Sequence, residues 1–195
     1  MNDDDPQPKE GPYGQRQYWR VTIAAPIETV WNTLVKTDTV LPFFFGGVCD
    51  AGPGGLREGQ PMRMVSKDRR NAIVVGKVLE FSPPHRYAHT IYFTQVEGEQ
   101  PGRTIYELKE VPGGTEFTLI SEALPGTKVG KMVASGPFIV ENLKRLVETG
   151  KPAFSGAMVL AMTPLMGLMS PKISRIEHWP LDVAAWKLKP VPGVD

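Results

Sequence analysis

The sequence is poor in the residues that build disulfides and metal centres. Cys49 is the single cysteine, which excludes an internal disulfide and a cysteine-based metal cluster and fits a reducing, cytoplasmic location. The three histidines are His85, His89 and His178, and no two have the spacing of metal ligands on a helix. We therefore expect a cytoplasmic protein with no metal and no cofactor.

An excess of charge of either sign is also missing. The chain has 22 basic and 21 acidic residues and a net charge of +1, so it lacks the positive surface expected of a protein that binds nucleic acid or an anionic membrane. The stretch from Met1 to Gly14 has no basic start and apolar core of a signal peptide. We expect residues 1–16 to form a disordered tail.

Signatures of catalysis are absent as well. Ser121 is not part of a Gly-x-Ser-x-Gly motif, and the glycine-rich stretch 52–55 lacks the Gly-Lys-Ser/Thr ending of a phosphate-binding loop. The carboxylates Glu107, Glu116 and Glu122 form no recognisable acid–base pair in the sequence. These absences favour a protein that is not an enzyme.

What the sequence does contain is a run of four predicted strands between two helices. The strands cover 72–81, 86–96, 103–111 and 115–124, and Pro- and Gly-containing turns separate them. A helix with one apolar stripe follows Pro26, and a second helix runs from Ser135 to its stop at Gly150. Strands grouped together with helices to one side indicate an α+β fold.

A curved antiparallel sheet that wraps around one helix tends to enclose a cavity. Because side chains alternate along a strand, Tyr87, His89, Ile91 and Phe93 share one face of the sheet. Three consecutive phenylalanines, Phe43 to Phe45, precede Gly46-Gly47 and could pack in the core or gate the cavity mouth. We predict that the ligand-binding residues are Phe44, Tyr87, His89, Ile91, Phe93, Phe117, Leu119 and Phe138.

Several short segments, taken in order, resemble a known superfamily. Residues 76–84, 102–104 and 114–119, opened by 25–31 and closed by 142–150, are similar to the SRPBCC (START-like) superfamily, and within it to homologues of the activator of the heat-shock-protein-90 ATPase. The resemblance covers about Trp19 to Lys151. It implies a helix-grip fold, in which a curved sheet wraps around a long C-terminal helix and a hydrophobic cavity lies between them in many members.

The superfamily does not determine the function. Its members include lipid and hormone binders, polyketide cyclases and co-chaperones. One departure is local: this chain has Gly136-Pro137-Phe138 where many relatives carry Gly-Trp, so a polar contact of that indole does not carry over. We assign residues 17–152 to the START-like domain.

Residues 153–195 form an apolar, Met-rich extension that the resemblance does not cover. Met158, Met162, Met166 and Met169 fall on one face of a predicted helix, which Pro164 should kink or split. The uncharged stretch is too short and interrupted for a transmembrane segment. Its apolar surface could pack on its own domain, on a membrane surface, or on a second copy in a homodimer through residues 153–170.

Binding of a small apolar or amphipathic ligand is the function that the sequence favours. The first alternative is a co-chaperone-like module that docks on a partner through the C-terminal segment. The second is a cyclase- or hydratase-type enzyme that uses His89 as acid or base. A partly buried histidine bonded to a backbone carbonyl is the plainer interpretation of the same residue.

Overall fold

The centre of the protein is one antiparallel sheet of nine strands. The computed structural model describes residues 9–168 and 170–182. The strands are β1 (Glu10–Gly11), β2 (Gly14–Ile23), β3 (Val40–Leu41), β4 (Gly47–Asp50), β5 (Pro61–Val65), β6 (Ala72–Ser82), β7 (Arg86–Phe93), β8 (Gly102–Val111) and β9 (Gly114–Ala123). The four long strands predicted from the sequence are β6 to β9.

Strand order shows how the sheet is assembled. The neighbours run β1-β2-β9-β8-β7-β6-β5-β4-β3, so the first long strand, β2, pairs with the last strand of the meander. The register shifts between Met64 and Val65 and again between Val78 and Glu80. Irregularities of this kind bend a strand and increase its twist, which helps the sheet to curve.

Four α-helices and three short 3-10 turns complete the described fold. The helices are α1 (Ile27–Leu34), α2 (Lys128–Val133), α3 (Gly136–Thr149) and α4 (Phe154–Leu168), and the turns are Pro42–Phe44, Lys172–Ser174 and Ile176–His178. Helix α3 packs against β2, β9 and α1. This arrangement confirms the predicted α+β, helix-grip architecture.

The ends of α3 follow from its sequence. Pro137 lies in the first turn, where the missing N–H costs little, and Gly150 adopts a left-handed conformation (φ 72°) with its N–H donating to the Leu146 carbonyl at 2.8 Å. Gly136 also lets the helix approach β2 closely, because a Cβ there would lie 2.1 Å from a ring carbon of Trp19. The Ser135 side chain does not cap the helix; its hydroxyl donates to the Met132 carbonyl instead.

Helix α2 was not expected from the sequence. Its six residues include Gly130, and such a short segment gives little periodicity. The Thr127 hydroxyl accepts a hydrogen bond from the Gly130 N–H at 2.9 Å, and the Glu99 carboxylate accepts from the N–H groups of Lys128 and Val129. These polar contacts supply the first turn with hydrogen-bond partners that the sequence pattern did not reveal.

The prediction of a disordered tail over residues 1–16 is wrong for its last residues. Glu10 pairs with Gln15 and Gly11 with Gly14, and Arg16 already pairs with Glu122 on β9. The sequence analysis did not predict this hairpin because the start of the chain is rich in proline and glycine. Gly11 has a packing reason, since a Cβ at that position would lie 2.2 Å from a Glu122 carboxylate oxygen.

The C-terminal extension is helical and then crosses to the outer face of the sheet. Helix α4 continues past Pro164, so the expected split does not occur. It packs on α3 and on the turn Pro42–Phe44. Asn142 joins the two helices, because its amide oxygen accepts from the Ala153 N–H and its amide nitrogen donates to the Ser155 hydroxyl.

Beyond α4, Ile173, Ile176 and Trp179 pack against the side of the sheet that faces away from α3. Trp179 is fully buried there with Tyr92, Val65 and Val75. Its indole N–H donates to the Ile173 carbonyl at 2.7 Å, and its own carbonyl accepts from Arg63 at 2.7 Å. The extension is therefore part of the folded unit in this region.

Candidate functional site

A cavity of about 500 Å³ lies between the inner face of the sheet, α2, α3 and the C-terminal half of α4. Its volume falls within the usual range for small-molecule sites. Five of the eight predicted ligand-binding residues line it: Phe44, Tyr87, His89, Ile91 and Phe93. The four predicted residues of β7 thus share the face of the sheet that lines the cavity, as the alternation of side chains indicated. Their role in binding stays a prediction.

The other three predicted residues lie away from the cavity wall. Phe117 and Leu119 are 0% exposed and belong to the hydrophobic core, where α1 and α3 cover the β9 end of the sheet. Phe138 packs against Phe45, with ring centroids 4.3 Å apart and nearly parallel planes. Phe117 stacks on Tyr106, which lines the cavity, but none of these three residues forms part of the wall.

Sequence reasoning missed several lining residues on the short strands before the meander. Met62 and Met64 alternate with the more exposed Pro61 and Arg63 along β5, a period-2 pattern that was available in the sequence. Cys49, Leu56 and Ile73 also reach the cavity. Loop residues such as Leu56 carry no periodic signal, so only the fold could place them.

The extension supplies a further part of the wall. Thr163 in the C-terminal half of α4 lines the cavity, as do Ser170, Pro171 and Ser174 after the helix. Ser174 is held in place by a hydrogen bond between its hydroxyl and that of Thr94, whose oxygens are 2.9 Å apart. The predicted boundary at residue 152 therefore separates segments that share one cavity.

The three phenylalanines before Gly46 divide their roles. Phe43 is fully buried in the core, Phe44 lines the cavity and packs edge-on against Tyr106, and Phe45 is exposed at the rim. Phe45 has a left-handed backbone (φ 53°), which is uncommon for a bulky residue. Phe45 stacks on Phe138, so an aromatic pair lies beside the cavity.

His89 is a buried, neutral histidine with both ring nitrogens engaged. Nδ1 lies 2.8 Å from the Thr90 carbonyl oxygen, which can only accept, so Nδ1 carries the proton. Nε2 then accepts from the Tyr106 hydroxyl at 3.3 Å. Burial lowers the pKa of His89 to about 4, although the bond to Thr90 acts in the opposite direction.

Tyr87 lies next to His89 and Tyr106, but its hydroxyl has no hydrogen-bond partner among the described residues. Its ring lies 5.4 Å from that of Tyr106 and 5.2 Å from that of His89. In the described part of the chain, the Tyr87 hydroxyl is the one buried side-chain polar atom without a hydrogen-bond partner. Burial raises the pKa of this phenol, so it keeps its proton at neutral pH.

Cys49 does not supply a nucleophile to the cavity. Burial raises the pKa of its thiol to about 12, and the nearby carboxylates of Asp50 and Asp38 act in the same direction. A thiol that stays protonated is a poor nucleophile and a poor metal ligand. Its place in the wall is that of a small apolar side chain.

Charged side chains are absent from the cavity wall that the described residues form. Within the same ranges, 9–168 and 170–182, no three His, Cys, Asp or Glu side chains are grouped closely enough to hold a metal ion. The described helices also include none that is both long and apolar enough to span a bilayer. The arrangement suits a neutral, mostly apolar guest.

Solved structures with this fold come from several organisms. Protein CV1439 from Chromobacterium violaceum is 21% identical with a TM-score of 0.52, over 68% of this chain and 96% of its own. CalU16 from Micromonospora echinospora is 17% identical with a TM-score of 0.54, over 80% and 87%. PFC0360w, an HSP90 activator from Plasmodium falciparum, is 16% identical with a TM-score of 0.53, over 71% and 99%. At these identities the likeness shows the fold.

A search of curated proteins finds no match. The sequence model of the family described as Activator of Hsp90 ATPase homolog 1-like protein matches residues 24–148, from three residues before α1 almost to the end of α3. Helix α4 and the segment over the outer face lie beyond the match. Because the match covers more than half of the sequence, the chain belongs to the Activator of Hsp90 ATPase homolog 1-like family.

Proposed function

We propose that this protein binds a small apolar or amphipathic molecule in the cavity between the sheet and α3. The observation that carries the proposal is the cavity of about 500 Å³ with a wall free of charged side chains. Aromatic and aliphatic side chains with a few polar groups are typical of small-molecule sites. The proposed contacts are Phe44, Tyr87, His89, Ile91 and Phe93, all in the wall.

The state of His89 supports binding over proton transfer. A general base works best when its pKa lies near the operating pH, and burial lowers the pKa of His89 to about 4. Both ring nitrogens are also occupied by Thr90 and Tyr106. Catalysis by His89, as a cyclase or hydratase would need, is therefore the less favoured use of the same cavity.

Native mass spectrometry of the protein purified from its expression host tests the proposal. The expected result is a bound small molecule that is released when the protein is denatured, together with saturable binding of an added neutral hydrophobic probe. A protein without a retained molecule that also fails to bind such probes would overturn the proposal. The experiment also reports the oligomeric state.

A second candidate function is association through α4, and one observation favours it. Phe154, Met158 and Met162 are 85%, 51% and 50% exposed, at positions i, i+4 and i+8 on one side of the helix. We propose a second copy of the chain as the occupant, because Ala157 and Ala161 beside this stripe would let two uncharged helices approach closely. The alternative occupant of this stripe is a different protein, because one structural neighbour is described as an HSP90 activator.

Light scattering during size-exclusion chromatography tests this association. The wild-type chain should form a homodimer through residues 153–170, and the variant Phe154→Ser/Met158→Gln/Met162→Gln should be a monomer of unchanged stability. Its matched control is Leu124→Gln, an exposed apolar residue on a different element. A monomeric wild-type chain at high concentration would rule out the homodimer.

A further inference from the structure

We propose that the ligand presents an uncharged hydrogen-bond acceptor, such as a ketone or quinone carbonyl, to the hydroxyl of Tyr87. The inference rests on the proposed function and adds the chemical class of the guest to it. It follows from three features of the cavity: a buried tyrosine hydroxyl without a partner, a neighbouring pair whose donors are already used, and a wall without charge.

The unpaired donor is the Tyr87 hydroxyl. Tyr87 is 3% exposed and lines the cavity, and its hydroxyl oxygen is buried without a partner among the described residues. Buried tyrosine hydroxyls usually find a partner, and an unsatisfied one costs about 1–3 kcal/mol. A ligand oxygen that accepts from this hydroxyl would recover that free energy.

The neighbouring pair shows why Tyr87, rather than His89 or Tyr106, is the donor that a guest can use. The His89 Nδ1–H donates to Thr90, and the Tyr106 hydroxyl donates to His89 Nε2, so neither proton is available to a guest. Tyr87 pairs directly across the strands with Tyr106, which brings the second phenol to the same part of the wall. Of these three side chains, Tyr87 alone keeps a free proton.

The wall determines the charge of the guest. The described lining residues include no Lys, Arg, Asp or Glu, and the one basic side chain, His89, is neutral. A carboxylate or ammonium group placed at Tyr87 would lose its hydration without gaining a counter-ion, at a cost of several kcal/mol. Fatty acids held with their carboxylate inward are therefore disfavoured, and neutral carbonyl compounds are favoured.

Isothermal titration calorimetry at pH 7 with three matched probes tests the inference. The probes are 2-acetylnaphthalene, 2-ethylnaphthalene and 2-naphthoate, which share one ring system and differ in the carbonyl and the charge. The ketone should bind about tenfold more tightly than the hydrocarbon, which corresponds to one net hydrogen bond. The carboxylate should show no measurable binding.

The variant Tyr87→Phe assigns the difference to one hydroxyl. Its affinity for the ketone should fall to that for the hydrocarbon, while its affinity for the hydrocarbon stays the same. The unbound variant should be at least as stable as wild type, because an unpaired polar group is removed. Tyr92→Phe is the control, since Tyr92 lies on the opposite face of β7 and its hydroxyl donates to the Val96 carbonyl at 2.7 Å.

The possible results separate this inference from the function on which it rests. Equal binding of ketone and hydrocarbon, unaffected by Tyr87→Phe, would overturn the role of Tyr87 and leave apolar binding in place. Binding of naphthoate as tight as that of the ketone would overturn the requirement for a neutral guest. Failure of both neutral probes to bind would count against the proposed function itself.

Discussion

Glu122 lies on the outer face of β9 and is fully buried between two arginines. Its carboxylate accepts from Arg16 at 2.7 Å and from Arg103 at 2.6 and 2.9 Å, and Gly11 of the first hairpin covers it. Burial alone would raise the pKa of Glu122, but the hydrogen bonds from Arg103 and Arg16 outweigh it and lower the pKa. The network ties β1 and β2 to the centre of the sheet.

Glu122→Gln should therefore destabilise the protein by about 3 kcal/mol at pH 7, because two partly buried arginines lose their counter-ion. Since the folded pKa is depressed, the contribution is complete above the ordinary value of 4.5 and is lost as pH falls below it. Urea unfolding at pH 7 and pH 3 should show the difference shrinking. Glu116→Gln, a half-exposed carboxylate 3.7 Å from Arg20, should cost less than about 1 kcal/mol.

His89 gives a pH dependence in a different window. The folded pKa of about 4 lies below the ordinary value of 6.5. Between these two pH values His89 is protonated in the unfolded chain and neutral in the folded protein. Acid therefore destabilises the fold between pH 6.5 and 4, by about 2 kcal/mol at pH 5 relative to pH 7. His89→Gln should lack this loss, and the exposed His85→Gln should retain it. A wild-type stability unchanged between pH 7 and 5 would contradict the burial of His89.

At the level of elements, strand and helix prediction succeeded where periodicity was strong and tertiary contacts were not needed. Strands β6 to β9, α1 and α3 have alternation, apolar stripes or a glycine stop that can be recognised in the sequence. The first hairpin and α2 depend on partners far along the chain, Glu122 and Glu99. Local patterns do not contain that information, so both elements were missed.

The segment after α4 provides an element-scale prediction. Trp179→Ala should lower the free energy of unfolding by about 4 kcal/mol, because a fully buried indole is removed from contact with Tyr92 and Val75. Trp179→Phe should cost less, since it loses mainly the N–H bond to the Ile173 carbonyl. Denaturant unfolding measures both. If Trp179→Ala were no more destabilising than His178→Ala next to it, residues 170–182 would not belong to the folded unit.

For the whole molecule, the candidate site was only partly predictable. Strand parity placed Tyr87, His89, Ile91 and Phe93 correctly on the inner face. The same reasoning misplaced Phe117 and Leu119, because parity identifies a face and does not say which part of it α1 and α3 cover. The lining residues after α4, including Ser170 and Ser174, lie beyond the family match and depend on the path of the extension.

An empty cavity lowers the stability of the unbound protein but leaves room for a ligand. A side chain that fills the cavity should therefore raise the stability and weaken ligand binding. Ile91 is half-buried in the cavity wall, so Ile91→Phe extends a ring into open space. The unbound variant should be as stable as wild type or more so, and its affinity for 2-ethylnaphthalene should fall at least tenfold. Thermal unfolding with and without the probe measures both effects, since a ligand that binds only the folded state raises its stability.

The matched control for this variant is Ile105→Phe. Ile105 is 1% exposed on the opposite face of the sheet, packed against Ala88 and Ile120 in a small cluster that has no space for a ring. Overpacking there should cost roughly 1–3 kcal/mol and leave the affinity for the probe unchanged. If Ile91→Phe were destabilised as much as Ile105→Phe and still bound the probe, the cavity would not be the space that the ligand occupies.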